Sequence, residues 1–147
     1  WEYAARAGSD TLYPWGEDPH AGCEFTNAYD IDTQAQYPFA WEAMKCRDGF
    51  AGVAPVGSLK PNAFGLYDMM GNVWEFAQDC ATRSHIGRPK DGSAWIWEGG
   101  CARRIQRGGG WITSTARIRP GYHGDANATH RFDFGGFRIA RDLVADP

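Results

Sequence analysis

Apolar residues of this chain fall in short, irregular runs rather than in long stretches of helical or strand periodicity. The strongest run spans residues 62–76, where two glycines and an asparagine interrupt any regular repeat. Trp1–Ala7 predicts the end of a helix, with Gly8 as its C-terminal stop. The pattern therefore predicts little helix and a domain built largely from loops.

Short apolar segments in the second half of the chain predict a few strands. Pro55–Leu59 predicts a short strand or extended piece, and Gly108–Ile112 predicts the entry into a strand. Arg117–His123 predicts an extended segment whose proline favours a sheet edge, and Gly135–Ala140 predicts the last strand. Residues 17–52 are irregular, and so long a structureless stretch is usually functional or stabilised by a metal.

Composition and charge narrow the class of protein. The 147 residues suit one domain, and nineteen glycines beside seven tryptophans, six tyrosines and eight phenylalanines predict a loop-rich fold with an aromatic core. The net charge of -3 gives no reason to expect a nucleic acid or an anionic membrane as partner. No apolar run approaches the ~20 residues of a spanning helix, so we expect no membrane span.

The four cysteines leave two interpretations open. None of them forms a Cys-x-x-Cys motif, which argues against a zinc ribbon or a thioredoxin-type site. Disulfides Cys23–Cys46 and Cys80–Cys101 would each close a loop of about twenty residues, worth roughly 3 kcal/mol on the chain-entropy model. This pairing favours a periplasmic or secreted protein, because disulfides persist in oxidising compartments. The alternative is four buried free thiols in a cytoplasmic protein.

The run at residues 62–76 also carries metal-ligand chemistry. An irregular segment that buries its backbone needs side chains, waters or an ion as partners for its amides and carbonyls. Asp68 and Glu75 can supply two carboxylates to one hard cation such as calcium, which takes about 6–8 oxygen ligands. The carbonyls of Gly71 and Val73 can add two more oxygens. The alternative is a turn followed by an edge strand, with Glu75 exposed to solvent.

Six segments occur along the chain in the order seen in one known family. They are Trp1–Gly8, Tyr13–Gly16, Pro55–Ser58, Asn62–Phe76, Arg107–Trp111 and Gly135–Arg138. This series resembles the formylglycine-generating-enzyme (sulfatase-modifying factor) domain, which implies an α+β, C-type-lectin-like fold with little regular structure. Domains of this family usually begin further upstream, so the resemblance also implies a missing N-terminal part of the same protein as a partner.

The resemblance implies two structural calcium sites. One site would use the Asn27 side chain, the Ala28 carbonyl, the Asp48 side chain and the Phe50 carbonyl. The other would use Asp68, the Gly71 and Val73 carbonyls, and Glu75. All eight groups are oxygen ligands of the types that calcium prefers. We therefore expect Ca²⁺ as a structural cofactor.

The same resemblance argues against the chemistry that gives the family its name. Formylglycine-generating enzymes bind copper with a cysteine pair between the glycine-rich strand and the arginine-rich segment. Here that stretch, residues 111–120, contains no cysteine, and all four cysteines precede residue 102. Because copper(I) needs soft thiolate ligands, we expect neither copper at a cysteine pair nor conversion of cysteine to formylglycine. The sequence leaves the redox cofactor open.

Two cysteine-free branches of the family fit this pattern. Ergothioneine-type sulfoxide synthases carry an Arg-Pro step like Arg119–Pro120, but their iron ligands lie in a separate N-terminal helical domain. The other branch is a periplasmic pyoverdine-maturation protein, associated with the oxidation that completes a siderophore chromophore. The resemblance therefore implies an oxidative tailoring enzyme that acts on a small-molecule or peptide-derived substrate. A non-catalytic lectin-like binding domain is the alternative from another functional class.

The active face of the family corresponds to residues 111–134, which hold the candidate catalytic groups. His123 can act as a general base, with Asp125 as its orienting acid. Arg119 and Tyr122 complete the predicted catalytic set. The alternative is a surface loop whose polar groups are satisfied by water.

Residues predicted to bind substrate lie in the same segment: Trp111, Arg117, His130 and Arg131. Trp111 and Tyr122 could stack on a planar aromatic substrate, although each is more often a core residue. Arg117 and Arg119 would share a strand face and clamp a carboxylate or a catechol-like anion, or would pair with a nearby aspartate. His130 could instead join His123 in binding a metal.

Overall fold

Regular secondary structure is sparse in the computed structural model, which describes residues 1–141. The elements are α1 (Glu2–Arg6), a 3₁₀-helix (Pro19–Glu24), α2 (Ile31–Gln36), β1 (Trp74–Cys80), β2 (Arg103–Arg107), β3 (Gly124–Asn127) and β4 (Gly135–Gly136). This small α+β architecture confirms the prediction of little helix and many loops. Within residues 1–141, no helix is long and apolar enough to cross a membrane.

The four strands form one mixed sheet in the order β3-β2-β1-β4. β1 pairs antiparallel with β2, and β2 with β3, whereas β1 and β4 run parallel. β1 is therefore an interior strand, and Glu75 within it is only 5% exposed. The alternative of an edge strand with a solvated Glu75 is wrong.

Helix α1 is the helix that the sequence predicts at the start of the chain. It ends at Arg6, and Ala7 rather than Gly8 is the first left-handed residue, with φ 48°. The Ala7 amide donates to the Tyr3 carbonyl at 3.1 Å, which satisfies one of the carbonyls left open at a helix end.

The glycine-rich segment after β2 is a turn and not the predicted strand. Strand β2 occupies Arg103–Arg107, at the basic end of the polar insertion formed by residues 81–104, and it ends where the strand was expected to begin. Gly108 has φ 91°, a left-handed conformation that glycine adopts without strain, so the chain leaves the sheet there.

Two other predicted extended segments are also turns. Arg117–His123 makes local turn hydrogen bonds, so Arg117 and Arg119 do not share a strand face. A turn also lies within Pro55–Leu59. The strand predicted at Gly135–Ala140 is confirmed only over its first two residues, which form β4.

Within residues 1–141, the central hydrophobic cluster contains no residue of the four strands, although Cys80 of β1 and Ala126 of β3 are also buried. Its buried members are Ala5, Tyr13, Cys23, Ala28, Met44, Met69, Met70 and Ile118. Trp1 and Trp15 are half-buried and pack against this cluster. Only Trp111 among the seven tryptophans is buried, so the aromatic core predicted from composition is only partly formed. Methionine and alanine side chains fill much of the centre instead.

Both predicted disulfides are present and account for all four cysteines. Cys23–Cys46 and Cys80–Cys101 have Cα–Cα distances of 6.0 and 5.2 Å. The first joins the 3₁₀-helix to the loop after α2 and lies in the core. The second links the end of β1 to the segment just before β2, so it closes the loop of residues 81–100. The disulfide interpretation is confirmed over the free-thiol interpretation.

A buried carboxylate joins the two ends of the described chain. Trp1 Nε1 donates to Glu75 Oε2 at 2.6 Å, and Arg138 Nε lies 2.7 Å from both carboxylate oxygens. The Arg138 guanidinium also donates to the carbonyls of Tyr67 and Asp68 at 3.0 Å. Because a buried charge without a partner is costly, these contacts hold the start of α1 and the segment after β4 against β1.

Replacing Arg138 with alanine removes the counter-charge of Glu75. We expect the free energy of unfolding to fall by about 3 kcal/mol, because one charge of a largely buried pair is left uncompensated. The matched control is Lys60→Ala, which breaks an exposed pair with Glu24 and should cost under about 1 kcal/mol. Urea unfolding followed by tryptophan fluorescence measures both variants, and equal losses would contradict the role of the buried pair.

Removing either disulfide should destabilise the domain, but to different extents. For Cys23→Ser with Cys46→Ser we expect a loss of roughly 3 kcal/mol from chain entropy, plus a further loss because the core loses packed sulfur. Cys80→Ser with Cys101→Ser opens a loop of similar size; Cys80 is buried but lies outside the core cluster, so this pair should lose the entropic part and a smaller packing contribution. Denaturant unfolding measures the difference. Finding alkylatable thiols in the unreduced protein by mass spectrometry would contradict the pairing itself.

Candidate functional site

A small cleft beside α1 and β2 contains the predicted general base. Its volume is about 110 Å³, and its charged and imidazole groups are those of Glu2, Asp79, His85, Arg88, Arg107 and His123. Strand β2 positions Arg107, and the residue just before β3 is His123. The disulfide-closed loop 81–100 contributes His85, whose ring meets that of His123 edge-on with centroids 5.9 Å apart. The cleft is thus built from four separate parts of the chain.

The surroundings of His123 keep its imidazole neutral at pH 7. Partial burial lowers the pKa of His123 below its ordinary value, and the positive charges of Arg107, His85 and Arg88 lower it further. The negative charge of Asp125 acts in the opposite direction and has the smallest effect. A neutral imidazole can accept a proton, so this environment suits a general base.

Asp125 has a different partner from the one that the sequence predicts. Its carboxylate accepts from Arg103 Nε, and Arg103 Nη2 donates to the Asp125 carbonyl at 2.9 Å. The antiparallel pairing of β2 and β3 sets this contact by placing the two residues on adjacent strands. Within residues 1–141, no hydrogen bond joins Asp125 to His123. Asp125 is therefore an ion-pair partner of Arg103 rather than the orienting acid of the imidazole.

The predicted arginine clamp is not assembled. Arg117 and Arg119 are both exposed and lie on turns. The Arg117 guanidinium lies 5.9 Å from the centroid of the Tyr122 ring, and that ring lies 6.1 Å from Trp74. Arg119 lies near Tyr13, where its charge opposes the rise that burial causes in the pKa of the Tyr13 phenol. The two arginines thus contact different neighbours.

Trp111 belongs to the interior. Its side chain is only 7% exposed, and its ring packs 5.2 Å from the ring of Tyr37. Its Nε1 is buried and makes no hydrogen bond within residues 1–141. A buried ring cannot stack on a substrate, so the core alternative for Trp111 is correct.

His130 and Arg131 line a second, shallower cleft on another part of the surface. This cleft has a volume of about 420 Å³ and is otherwise aromatic and glycine-lined, with Phe76 and Phe132 among its walls. Because His123 lines the other cleft, the two histidines are not placed to share one metal ion. The predicted catalytic and substrate-binding residues are therefore divided among several places.

Sequence reasoning missed the contribution of the polar insertion. His85 and Arg88 lie in the insertion, about forty residues from His123 along the chain, and only the disulfide-closed loop brings them to it. The one signal in the sequence for this contribution is the predicted Cys80–Cys101 pairing, because that disulfide holds the two ends of the insertion together beside the sheet. In the sequence, Arg107 stands out only as the first residue of the segment Arg107–Trp111 that resembles the family.

The chain offers no thiolate pair to copper in the manner of the family's copper enzymes. Residues 111–120 contain no cysteine, and all four cysteines of the chain are in disulfides. Because copper(I) sites of this kind are built from thiolates, these residues do not fit the metal.

The first predicted calcium set contains two buried oxygens without partners. Asn27 Oδ1 and Asp48 Oδ2 are buried and accept no hydrogen bond within residues 1–141. Burial, with the charges of Asp30 and Asp32, raises the pKa of Asp48 to about 7. One carboxylate oxygen each from Asp30, Asp32 and Asp48 lies within 4.8 Å of the others. A hard cation would satisfy the orphaned oxygens and offset this negative charge, so the residues fit calcium.

The remaining members of this first set are backbone carbonyls. Ala28 is fully buried, and within residues 1–141 the Phe50 carbonyl accepts only a long bond from Thr33 Oγ1 at 3.4 Å. Asp30 and Asp32, which the sequence did not assign as ligands, have structural contacts of their own. Asp30 caps α2 by accepting from the Thr33 amide at 2.9 Å, and Asp32 pairs with Arg47.

In the second predicted calcium set, the Glu75 carboxylate already pairs with an arginine. Asp68, Val73 and Glu75 line a cleft of about 350 Å³ together with Arg138. Both Glu75 oxygens accept from Arg138, and Asp68 Oδ2 accepts from the Gly57 amide at 2.8 Å. With Arg138 in this position, a calcium ion at the second set would compete with the guanidinium for the Glu75 carboxylate.

Gly71, the remaining member of that set, is fixed by its backbone. Its amide donates to the Gly108 carbonyl at 2.8 Å, and it forms a parallel bridge with Asn27. The bridge brings the second set next to the first.

Comparison with known proteins connects these features to one family. A family model described as the sulfatase-modifying factor enzyme 1-like domain matches residues 1–143. The chain is 38% identical to mouse formylglycine-generating enzyme over 87 residues, which are 58% of this chain and 22% of that protein. It is 33% identical to mouse inactive C-alpha-formylglycine-generating enzyme 2 over 135 residues, which are 89% of this chain and 32% of that protein.

A solved structure confirms the predicted lectin-like fold of this family. The structure of PvdO from Pseudomonas aeruginosa superimposes with a TM-score of 0.78 at 37% identity, covering 97% of this chain and 49% of that chain. The chain thus spans about half of that protein and smaller shares, 22% and 32%, of the two mouse relatives. The family match over nearly the whole chain and the shared fold agree, and the chain belongs to the formylglycine-generating-enzyme (sulfatase-modifying factor enzyme 1-like) domain family.

Proposed function

We propose that this domain is an oxidative tailoring enzyme of its family that works without a copper cysteine pair. Membership of the family supports the general class, and the lack of any free thiol separates the domain from the copper chemistry. The observation that carries the proposal is the position of the His123 imidazole in the wall of a cleft beside Arg107, where burial and positive charge lower its pKa.

In this proposal His123 removes a proton from the substrate. Two-electron oxidation of a phenol or an amine releases two protons and passes two electrons to an external oxidant such as dioxygen, and a neutral imidazole is suited to accept one of the protons. Arg107 supplies a fixed positive charge next to it, since its Nη1 is held by the Pro120 carbonyl at 3.1 Å and by Glu2 at 3.4 Å. Such a charge would stabilise the anion that deprotonation leaves on the substrate.

The specific reaction we propose is siderophore maturation, the oxidation that completes a pyoverdine chromophore. Two features support this branch of the family. Residues 111–120 lack cysteine, and the two disulfides are those of a protein from an oxidising compartment such as the periplasm. The substrate would then be a small molecule derived from a peptide.

We also propose a structural calcium ion at the first predicted set. The ligands would be Asn27 Oδ1, Asp48 Oδ2 and the carbonyls of Ala28 and Phe50. The ion would take no part in the reaction and would link the irregular segment around α2 to the rest of the domain. At the second set, calcium would have to replace Arg138 as the counter-charge of Glu75.

A non-catalytic binding domain is the second candidate. The mouse relative that matches 89% of this chain is itself named inactive, and His123 has no hydrogen bond to Asp125 within residues 1–141. A binding domain would use the same cleft without proton transfer. The sulfoxide-synthase alternative finds less support, because Pro120 of its Arg-Pro step is buried and Arg119 lies on an exposed turn.

Removing calcium with EGTA should lower the melting temperature of the domain by several degrees, because two buried oxygens lose their partner. Asp48→Asn should abolish most of the calcium-dependent rise, since it removes one anionic ligand. The control is Asp91→Asn. Asp91 is exposed and accepts a hydrogen bond from Ser93 Oγ, and this variant should keep the full calcium-dependent rise in melting temperature. Differential scanning calorimetry measures the shift, and a wild-type melting temperature unaffected by chelation would sink the calcium proposal.

Replacing His123 with glutamine should lower the rate of substrate oxidation by roughly 10²–10⁴-fold, the usual contribution of a general base. As the pH is lowered, the wild-type rate should begin to fall only below the pH at which an ordinary histidine titrates. The reason is that the lowered pKa of His123 keeps the base unprotonated at neutral pH. His20→Gln, a histidine that lies near Lys45, is the control. Absorbance of the chromophore follows the reaction.

Two results separate the candidate functions. Full activity in the His123 variant would exclude this residue from the mechanism. Binding of the chromophore precursor without any oxidation, under conditions in which a related enzyme is active, would favour the binding domain.

A further inference from the structure

We infer that the His123 cleft binds a small oxyanion, a carboxylate or phosphate group of its ligand, through Arg88 and Arg107 with His85 and His123. The inference rests on the proposed function in taking this cleft as the ligand site, and it adds the chemical group that the site recognises. It requires no catalysis.

Arg107 forms the deep wall of the cleft, and part of its guanidinium has N–H groups free to donate hydrogen bonds to a ligand. Its side chain is only 12% exposed, and both of its hydrogen bonds within residues 1–141 come from Nη1. Its Nε and Nη2 groups make none within that range, and these two form one edge of the planar guanidinium. Such an edge matches the two oxygens of a carboxylate or phosphate.

The disulfide-closed loop 81–100 supplies the opposite wall. His85 and Arg88 are exposed on this loop, and the Arg88 side chain makes no hydrogen bond or ion pair within residues 1–141. The charge of Arg88 acts on both Arg107 and His123, which places it near the two. Four nitrogen-bearing side chains therefore converge on one small volume.

The acids around the cleft already have partners. Glu2 lies between Arg6 at 3.0 Å and Arg107 at 3.4 Å, so its charge is shared by two arginines. Asp79 Oδ1 accepts from the Trp95 amide at 3.2 Å. Asp125 on β3 pairs with Arg103. None of these carboxylates makes a hydrogen bond or ion pair with Arg88 or with either histidine within residues 1–141.

Repulsion among the positively charged groups of the cleft supports the inference. Burial lowers the pKa of Arg107; among the neighbouring charges Glu2 opposes this shift most, Arg88 adds to it, and Asp79 opposes it. Burial, Arg107, His85 and Arg88 lower the pKa of His123. An anion in the cleft would relieve this repulsion. The volume of about 110 Å³ suits the size of the group. It equals roughly three or four water molecules at about 30 Å³ each, enough to hold one phosphate or carboxylate group.

The test is a proton NMR titration of the histidine Hε1 signals between about pH 5 and 8, with sodium phosphate or sodium acetate added at constant ionic strength. The chain has four histidines, so single His→Gln variants assign the signals. We expect either anion to raise the pKa of His123 by about half a unit or more, because a bound anion favours the imidazolium. His20 and His130, outside the cleft, should not respond.

Matched variants test the role of the loop. Arg88→Ala should weaken anion binding by about tenfold, the loss of one charge-assisted contact. Arg88→Lys should restore part of it. Arg83→Ala, on the same loop but outside the cleft, should leave binding unchanged. Because Arg88 is exposed, its variants should fold normally.

The outcomes are decisive for the inference. A His123 signal that ignores both anions overturns it, as does an equal response of His130 or an unaltered affinity in Arg88→Ala. A response to phosphate alone or to acetate alone supports it and identifies the group. Since the titration contains no oxidation, anion binding without enzyme activity would remove only the catalytic proposal.

Discussion

The domain depends on one buried carboxylate. Glu75 lies in the central strand, and its two oxygens are held by Trp1 from the start of the chain and by Arg138 from its end. A sheet of four short strands cannot by itself fix so much irregular chain. The buried charge holds this irregular chain in place, because moving the segments of Trp1 and Arg138 away from β1 would leave Glu75 unpaired in the interior.

Around this ion pair, side-chain and backbone hydrogen bonds replace regular layers. Asn72 accepts from the Ala54 amide and donates to its carbonyl, while its own amide donates to the Asn27 carbonyl at 2.7 Å. A Cβ at Gly71 would lie 2.1 Å from that same carbonyl oxygen, so only glycine allows the approach. The segment with the orphaned oxygens is thereby held against β1, and an ion there would strengthen a junction that already exists.

The candidate site could be predicted only in part. His123 was found because an imidazole on the family's active face suggests acid–base chemistry. Its partner was misjudged because proximity in sequence suggested Asp125, whereas strand pairing gives that carboxylate to Arg103. Arg88 was missed because a polar insertion has no periodicity from which to infer its packing. The sequence predicts Trp111 as a substrate contact, yet packing in the tertiary structure buries it as a core residue.

By itself the amino-acid sequence determined the family and the sparse α+β architecture, because these follow from residue identity and local spacing. It offered the disulfide pairing as one of two interpretations, and the structure shows that pairing. Only the tertiary structure decided which charges meet. Glu75 and Arg138 are 63 positions apart, and the histidines that share the cleft belong to a loop and a turn without regular structure. Contacts between such distant, irregular segments are set by the closure of the whole fold, and no local pattern encodes them.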